Sequence, residues 1–250
     1  YSNLQLKKRN EKARKLLRAA SCERVRNQFM KNVIACSKNW FENYTSTKFK
    51  KKFYFIRKKS DLNMKNLKKI KPKYIFFPHW SHKVPQIILD SFECICFHTS
   101  PLPYGRGGSP IQNLIQKKIQ KAPVCALRMV AKIDAGPIYC KKVISLTGNL
   151  NEIFNRIAPA IQHLIKIIII KKPKPRKQKG KIKIFKRIKP EKSYMLNEKS
   201  LSKIYDRIRM LDHDEYPRAF LKIGKYKVEF KDPFLKKKYI VANAIIKKSN

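Results

Sequence analysis

The chain has 250 residues, 43% of them hydrophobic, which is enough for one sizeable domain and too apolar for wholesale disorder. Its 60 Lys and Arg against 16 Asp and Glu leave a net charge of +44, whereas a protein that works free in solution usually stays within about ten charges of zero. Apolar runs such as Ile167 to Ile170 are too short to span a bilayer, and the six cysteines lack the paired spacing of a zinc site, so neither a membrane span nor a metal centre is expected.

Two explanations of the charge are open. An AT-rich genome accounts for lysine supplying 46 of the 60 cations, but it does not account for the scarcity of acids. Lasting contact with nucleic acid accounts for both, because a pI above about 9 is typical of nucleic-acid-binding proteins and this chain has a pI of 10.3. We therefore favour a polyanionic partner.

The cations are concentrated in two stretches. Residues 1–29 form a basic lead with nine cations and two acids, compatible with the remnant of an organellar transit sequence, a nucleic-acid-binding arm or a solvated tail. Residues 153–190 contain thirteen cations and no acid. The candidate RNA-binding residues in the two stretches are Lys7, Lys8, Arg9, Arg14, Lys171, Lys172, Lys174, Arg176, Lys177, Lys179 and Lys181.

From Met30, apolar residues recur in the patterns of alternating strands and helices. Strands are predicted over residues 32–36, 53–56, 74–77, 94–97, 124–130 and 138–144. Helices are predicted over residues 63–70, 85–90, 110–118 and 150–170, with one very short helix beginning near Trp40. This alternation predicts an α/β fold with a Rossmann-like, doubly wound and mostly parallel sheet.

The C-terminal region departs from that alternation. Residues 171–181 contain two prolines and predict a solvated loop, residues 201–211 predict one more helix, and residues 225–230 and 239–246 alternate like the strands of a small β-rich tail. The predicted organisation is a basic N-terminal extension (1–29), a Rossmann-like domain (30–170), a basic linker (171–192) and a small C-terminal subdomain (193–250).

The strongest local motif runs from His98 to Gln112, with the sequence HTSPLPYGRGGSPIQ. It follows a predicted buried strand and leads directly into a predicted helix, and ligands of open α/β sheets bind at that edge of the sheet. Ser109 and Pro110 are predicted to be the N-cap and the first residue of the helix. His98 alone is compatible with catalysis or with a histidine that merely fixes a loop.

This motif resembles that of the 10-formyltetrahydrofolate-dependent formyltransferases, which include methionyl-tRNA formyltransferase and the amino-sugar formyltransferases. That family carries Asn-x-His-x-Ser-Leu-Leu-Pro before a Gly-rich turn, and further on Leu-Asp-x-Gly. His98 matches the family histidine, Asp134 in Ile133-Asp134-Ala135-Gly136-Pro137 matches the aspartate, and Cys96 stands where the family has asparagine. The resemblance covers about residues 31–230 and is closer to the short branch of the family, similar to the amino-sugar enzymes.

The resemblance implies attack by an amine on a formyl carbon, with the asparagine and histidine donating hydrogen bonds to the developing oxyanion and the aspartate holding the histidine. Cys96 cannot supply an amide donor, which puts catalysis in doubt. A pterin ring would need an apolar pocket, for which Phe77, Pro78, Leu102 and Gly136 are candidates. The aromatic residues are equally compatible with an ordinary core. His79 and His82, which flank Trp80, are expected to pack or to face solvent rather than to line that pocket.

Two functions follow. In the favoured one, a formyltransferase fold has become a basic structural component of a ribonucleoprotein, such as a mitochondrial or other organellar ribosome, with ribosomal RNA and neighbouring proteins as partners and no cofactor. The charge, the basic lead and the missing asparagine favour it. In the alternative, the chain is a cytoplasmic enzyme that moves a formyl group from 10-formyltetrahydrofolate to methionyl-tRNA or to a nucleotide-linked amino sugar. His98 and Asp134 favour that function.

Overall fold

The computed structural model describes residues 32–249, so the basic lead and its candidates Lys7, Lys8, Arg9 and Arg14 lie outside the described residues. The strands β1 to β11 are Asn32–Cys36, Tyr54–Ile56, Tyr74–His79, Glu93–Thr99, Tyr104–Gly107, Lys121–Arg128, Ile138–Ser145, Lys183–Phe185, Phe220–Ile223, Tyr226–Leu235 and Ile240–Lys248. The helices α1 to α7 are Trp40–Asn43, Thr47–Lys50, Met64–Ile70, Gln86–Ser91, Pro110–Gln116, Leu150–Lys171 and Leu201–Arg209.

The main sheet has six strands in the order β2-β1-β3-β4-β6-β7. The first four are parallel, and β6 and β7 are added in antiparallel orientation. This arrangement confirms the predicted Rossmann-like α/β fold with a mostly parallel sheet. The predicted β-rich tail is an antiparallel sheet in the order β11-β10-β9, and a separate two-stranded sheet joins β5 to β8.

The main sheet is buried on both faces, which is why its parallel strands are continuous apolar runs. Successive side chains of a strand point to opposite faces, so Phe76 packs in the larger core cluster and its neighbour Phe77 in the second one. The larger cluster also contains the apolar side of α6, a helix of 22 residues. By length and composition α6 could cross a membrane, but eleven of its residues are buried inside the fold.

Most predicted elements lie within a few residues of those observed, and β1 and the first residue of α6 are the same. The helix α2 and the strands β5, β8 and β9 were not predicted. Ser109 is the N-cap residue of α5, as predicted, but its backbone is left-handed and its hydroxyl accepts a hydrogen bond from Ile188 N rather than from the helix. Pro110 is the first helical residue, as predicted.

The basic segment 171–181 is predicted to be a solvated loop, and its cationic side chains are all exposed. Its backbone, however, is not free of the main domain. Its backbone exchanges two hydrogen bonds with the main domain, Arg176 N to Ile138 O at 2.9 Å and Ile138 N to Arg176 O at 2.8 Å. The next segment forms β8 beside β5. The charge pattern predicts where long cationic side chains point, but backbone hydrogen bonds depend on which other strand lies nearby.

His79, the last residue of β3, makes the stability of the fold depend on pH. Its ring packs edge-on against Trp40, with centroids 6.1 Å apart. Burial lowers its pKa from 6.5 to about 4, and the cations Lys38 and Arg187 act in the same direction. The unfolded state therefore binds more protons than the folded state between these two pH values, so stability falls as pH is lowered through that window.

We expect His79→Phe to remove this dependence, because phenylalanine keeps the aromatic contact and does not titrate. Relative to its own stability at pH 7, the wild-type chain should lose about 3 kcal/mol more than the variant by pH 4. Urea unfolding at pH 7, 5.5 and 4 measures the difference. The same pH dependence in both chains would contradict the assignment to His79.

Candidate active site

The site is built around His98, which lies inside β4 rather than after it, because β4 continues to Thr99. The side chain is 7% exposed and its two ring nitrogens face different groups. Nε2 lies 2.7 Å from the carbonyl oxygen of Gly105, and Nδ1 lies 3.4 Å from Oδ2 of Asp134. A carbonyl only accepts hydrogen bonds, so the proton of the Nε2–H group points at Gly105 O.

Asp134 connects this histidine to the Gly-rich loop, which we define as residues 105–108 and which includes most of β5. Its Oδ2 accepts a hydrogen bond of 2.9 Å from the backbone N–H of Gly107 and faces His98 Nδ1. Its backbone has φ of +50°, a left-handed conformation that is unfavourable for a residue with a side chain. The structure thus brings together the two residues that the sequence proposed as the catalytic pair, 36 positions apart in the chain.

Glycines allow the loops around this pair to approach one another closely. Gly107 has φ of +99°, and a Cβ built there would lie 2.7 Å from the carbonyl oxygen of Phe185. A Cβ at Gly136 would lie 1.8 Å from the carbonyl oxygen of Arg128. Any side chain at these positions would force the Gly-rich loop or the Asp134 loop away from its neighbour.

Cys96 points to the same face of β4 as His98, since the two residues are two positions apart in a strand. Burial raises the pKa of its thiol far above the usual value, and the charge of Asp134 raises it further. The thiol is therefore neutral at physiological pH and is at most a weak hydrogen-bond donor.

The four residues predicted to hold a pterin occupy different surroundings. Leu102, 9% exposed, packs with Cys125 and Leu127 in a small apolar cluster that also contacts Cys96 and Ile138. Phe77, 2% exposed, lies in the second core cluster, and Pro78 is buried beside it. The role of these residues and of Gly136 in ligand binding stays a prediction.

His79, at the end of β3, and His82, which follows the strand, each pack against a tryptophan. His79 lies against Trp40, and the exposed His82 lies edge-on to Trp80 with centroids 5.5 Å apart. These contacts agree with the expectation that both histidines pack or face solvent.

Sequence reasoning missed Gln178 and Arg106. Gln178 Nε2 donates hydrogen bonds of 2.8 Å to the carbonyl oxygens of both Asp134 and Gly136. Its Oε1 accepts from Nε and Nη2 of the buried Arg106 at 3.0 and 2.8 Å. One sequence feature could have indicated Gln178: it is the only amide side chain in the cation-rich segment 171–181.

A cavity of about 430 Å³ is lined by residues of α5, of the segment after β8 and of α7. The cavity is lined by Asn113, Gln116, Lys186, Arg187, Ile188, Tyr194, Asn197, Glu198 and Arg207, and so by neither His98 nor Asp134.

Comparison with known proteins gives one match to the C-terminal region alone and others that cover most of the chain. The family model described as methionyl-tRNA formyltransferase, C-terminal domain, matches residues 190–247. The structure of a methionyl-tRNA formyltransferase from Clostridium thermocellum has 41% sequence identity and a TM-score of 0.84, over 88% of this chain and all of that one. The methionyl-tRNA formyltransferase of Campylobacter jejuni subsp. doylei is 28% identical over 164 residues, or 64% of this chain.

This chain spans about half the length of the curated relatives that it matches, with 53% of the Campylobacter protein covered. A more distant similarity concerns the fold alone. HypX from Aquifex aeolicus, in a structure described as a complex with tetrahydrofolic acid, has a TM-score of 0.70 at 15% identity, over 84% of this chain and 39% of that one.

Proposed function

The chain belongs to the formyltransferase family that includes methionyl-tRNA formyltransferase, and from this premise we propose that it transfers a formyl group from 10-formyltetrahydrofolate to an amine on an RNA-borne acceptor. The observation that carries the proposal is the contact of His98 Nδ1 with Asp134 Oδ2 at 3.4 Å, beside the Gly-rich loop. The names of the relatives indicate methionyl-tRNA as the acceptor.

The residues beside His98 fit a reduced folate. Leu102, Ile138 and Cys96 pack in one small apolar cluster, and Cys96 lies on the same face of β4 as the polar His98. Binding sites for flat ring systems combine apolar side chains with a few directed polar groups. Leu102 and Ile138 would hold the ring system. When bound, the folate supplies an activated formyl carbon that an amine can attack.

The chain's own contribution is electrostatic and positional. The Nε2–H of His98 is donated to Gly105 O here, and it can be donated to the formyl oxygen as negative charge develops there. Asp134 lies beside the imidazole, with Oδ2 3.4 Å from Nδ1, and its carboxylate can accept the proton that the attacking amine loses. The glycines hold these two residues at that separation.

The two functions expected from the sequence are not equally supported. The relatives are named as enzymes, which supports the formyltransferase function, and none of the observations on residues 32–249 supports a structural role in a ribosome. A cofactor-free protein is likewise unsupported, since a structural neighbour is described as a complex with tetrahydrofolic acid. The net charge of +44 fits an enzyme whose acceptor is itself a polyanion.

The direct test incubates the purified chain with 10-formyltetrahydrofolate and methionyl-tRNA, and detects formylmethionine by mass spectrometry after deacylation. We expect formylation of methionyl-tRNA and little formylation of free methionine. A nucleotide-linked amino sugar tested in parallel distinguishes the acceptor class. If neither methionyl-tRNA nor the amino sugar is formylated, the proposed function is contradicted.

RNA binding should depend steeply on salt. Each phosphate that the chain neutralises releases counterions, so the logarithm of the affinity should fall with the logarithm of salt concentration by roughly 0.7 to 0.9 per phosphate. Lys171, Lys172 and Lys174 are all exposed on the basic segment, and replacing the three by glutamine should make the slope shallower by about two to three. Filter binding of tRNA between 50 and 300 mM salt measures both slopes.

An affinity that does not change with salt would contradict the RNA proposal. Equal slopes for the two chains would leave RNA binding in place but exclude these three lysines from the interface.

A further inference from the structure

Gln178 bridges the loop that carries Asp134 and the Gly-rich loop beside His98. It lies 44 residues after Asp134 and 72 residues after Arg106 in the chain, yet its amide group makes hydrogen bonds of 2.8 to 3.0 Å with both loops. On one side it donates to the Asp134 and Gly136 carbonyls. On the other side it accepts from the guanidinium of Arg106, a residue of the Gly-rich loop that is 9% exposed.

We propose that Gln178 is a positioning residue, which sets the distance between Asp134 and His98 by fixing the Asp134 loop to the Gly-rich loop. The proposal rests on the proposed function for its consequence in catalysis. Its structural part, the dependence of the His98–Asp134 contact on Gln178, is independent of that function.

The Asp134 loop needs such a restraint because its own backbone does not favour the conformation. Asp134 has φ of +50°, and left-handed backbone costs a residue with a side chain on the order of 1 kcal/mol. The carbonyl of Asp134 accepts from Gln178, while its carboxylate accepts from Gly107 N, so the residue is held from both ends. Without the bond to its carbonyl, the loop could relax and carry Oδ2 away from Nδ1 of His98.

An amide suits this position better than a charged or apolar group. The two carbonyl oxygens require donors and the guanidinium requires an acceptor, so the orientation of the Gln178 amide is determined by its neighbours. Glutamate would keep the acceptor for Arg106 but would place a carboxylate oxygen against two carbonyl oxygens. Leucine, of similar size, would leave the buried Arg106 without this acceptor and both carbonyls without these donors.

The experiment compares Gln178→Leu and Gln178→Glu with a matched control, Gln120→Leu, which makes the same change at an exposed glutamine before β6. Two readouts are taken on the folded full chain: the ¹⁵N chemical shifts of the His98 imidazole, which report its contact with Asp134, and kcat and KM for formyl transfer. Circular dichroism and thermal unfolding verify that each chain is folded. If Gln178→Leu does not fold, Gln178→Glu, which keeps the partner of Arg106, carries the test.

We expect both Gln178 variants to change the His98 nitrogen shifts and to lower kcat by about tenfold to a hundredfold, with KM for the folate within a few-fold of the wild type. The control should match the wild type in both readouts. Unchanged His98 shifts in a folded Gln178 variant would overturn the proposal, as would an unchanged kcat in an active enzyme. If the wild type transfers no formyl group but the His98 shifts still change, the proposed function fails and the positioning role stands.

Discussion

Replacing His98 by alanine is expected to lower kcat for formyl transfer by on the order of a thousandfold while leaving the fold intact. Its Nε2–H, which is donated to Gly105 O in the structure, is the donor that we propose for the developing oxyanion. Removing one oxyanion donor typically costs a factor of about 100 to 1,000, and losing the partner of Asp134 adds to that cost. Single-turnover kinetics with saturating 10-formyltetrahydrofolate measure the loss in the chemical step.

The matched control is His163→Ala, which removes an exposed histidine of α6. It should retain the wild-type rate. Thermal unfolding is needed for His98→Ala as well, since the ring is 7% exposed and bonded to Gly105. A folded His98→Ala chain that still transfers formyl groups at a rate near that of the wild type would show that the reaction takes place elsewhere.

Replacing Cys96 by asparagine is expected to raise the rate of formyl transfer by about a hundredfold, the usual worth of one oxyanion donor. Cys96 lies on the same face of β4 as His98, two residues before it, where the family has its asparagine. Its thiol is neutral because burial raises its pKa, so it now contributes at most a weak donor. An amide at this position would direct an N–H to the same side of the sheet as His98 Nε2.

The comparison for this prediction is Cys140→Asn, the same chemical change at a partly buried thiol of β7. That variant should not increase the rate. If Cys96→Asn is folded and its rate is equal to or below that of the wild type, the prediction is wrong. Either another group of the protein already donates a hydrogen bond to the oxyanion, or the oxyanion forms away from β4. Steady-state kcat with methionyl-tRNA as acceptor is sufficient for the measurement, because a gain of this size exceeds the effect of small packing changes.

The sequence by itself predicted most of the local elements and indicated His98 and Asp134 as the candidate catalytic pair. The apolar run Asn32–Cys36 predicted a strand, and the long amphipathic pattern of α6 predicted a helix. Both predictions were possible because the spacing of buried side chains is visible within a single segment of the sequence. His98 and Asp134 were found because each lies in a short motif whose neighbours are also prescribed. The excess of lysine and arginine is likewise a property of composition, and it predicted an anionic partner without reference to the fold.

Only the tertiary structure decided how these parts are joined. The hydrogen bonds from Gln178 to Asp134 and the pairing of β8 with β5 link segments that are 44 or more residues apart, and no periodicity in either segment indicates the other. Serine is a residue type that often caps a helix with its side chain, yet the Ser109 hydroxyl accepts a hydrogen bond from Ile188 N. The physical reason is the same in each case. Side-chain polarity fixes whether a group needs a hydrogen-bond partner, whereas the folded chain fixes which partner lies within 3 Å.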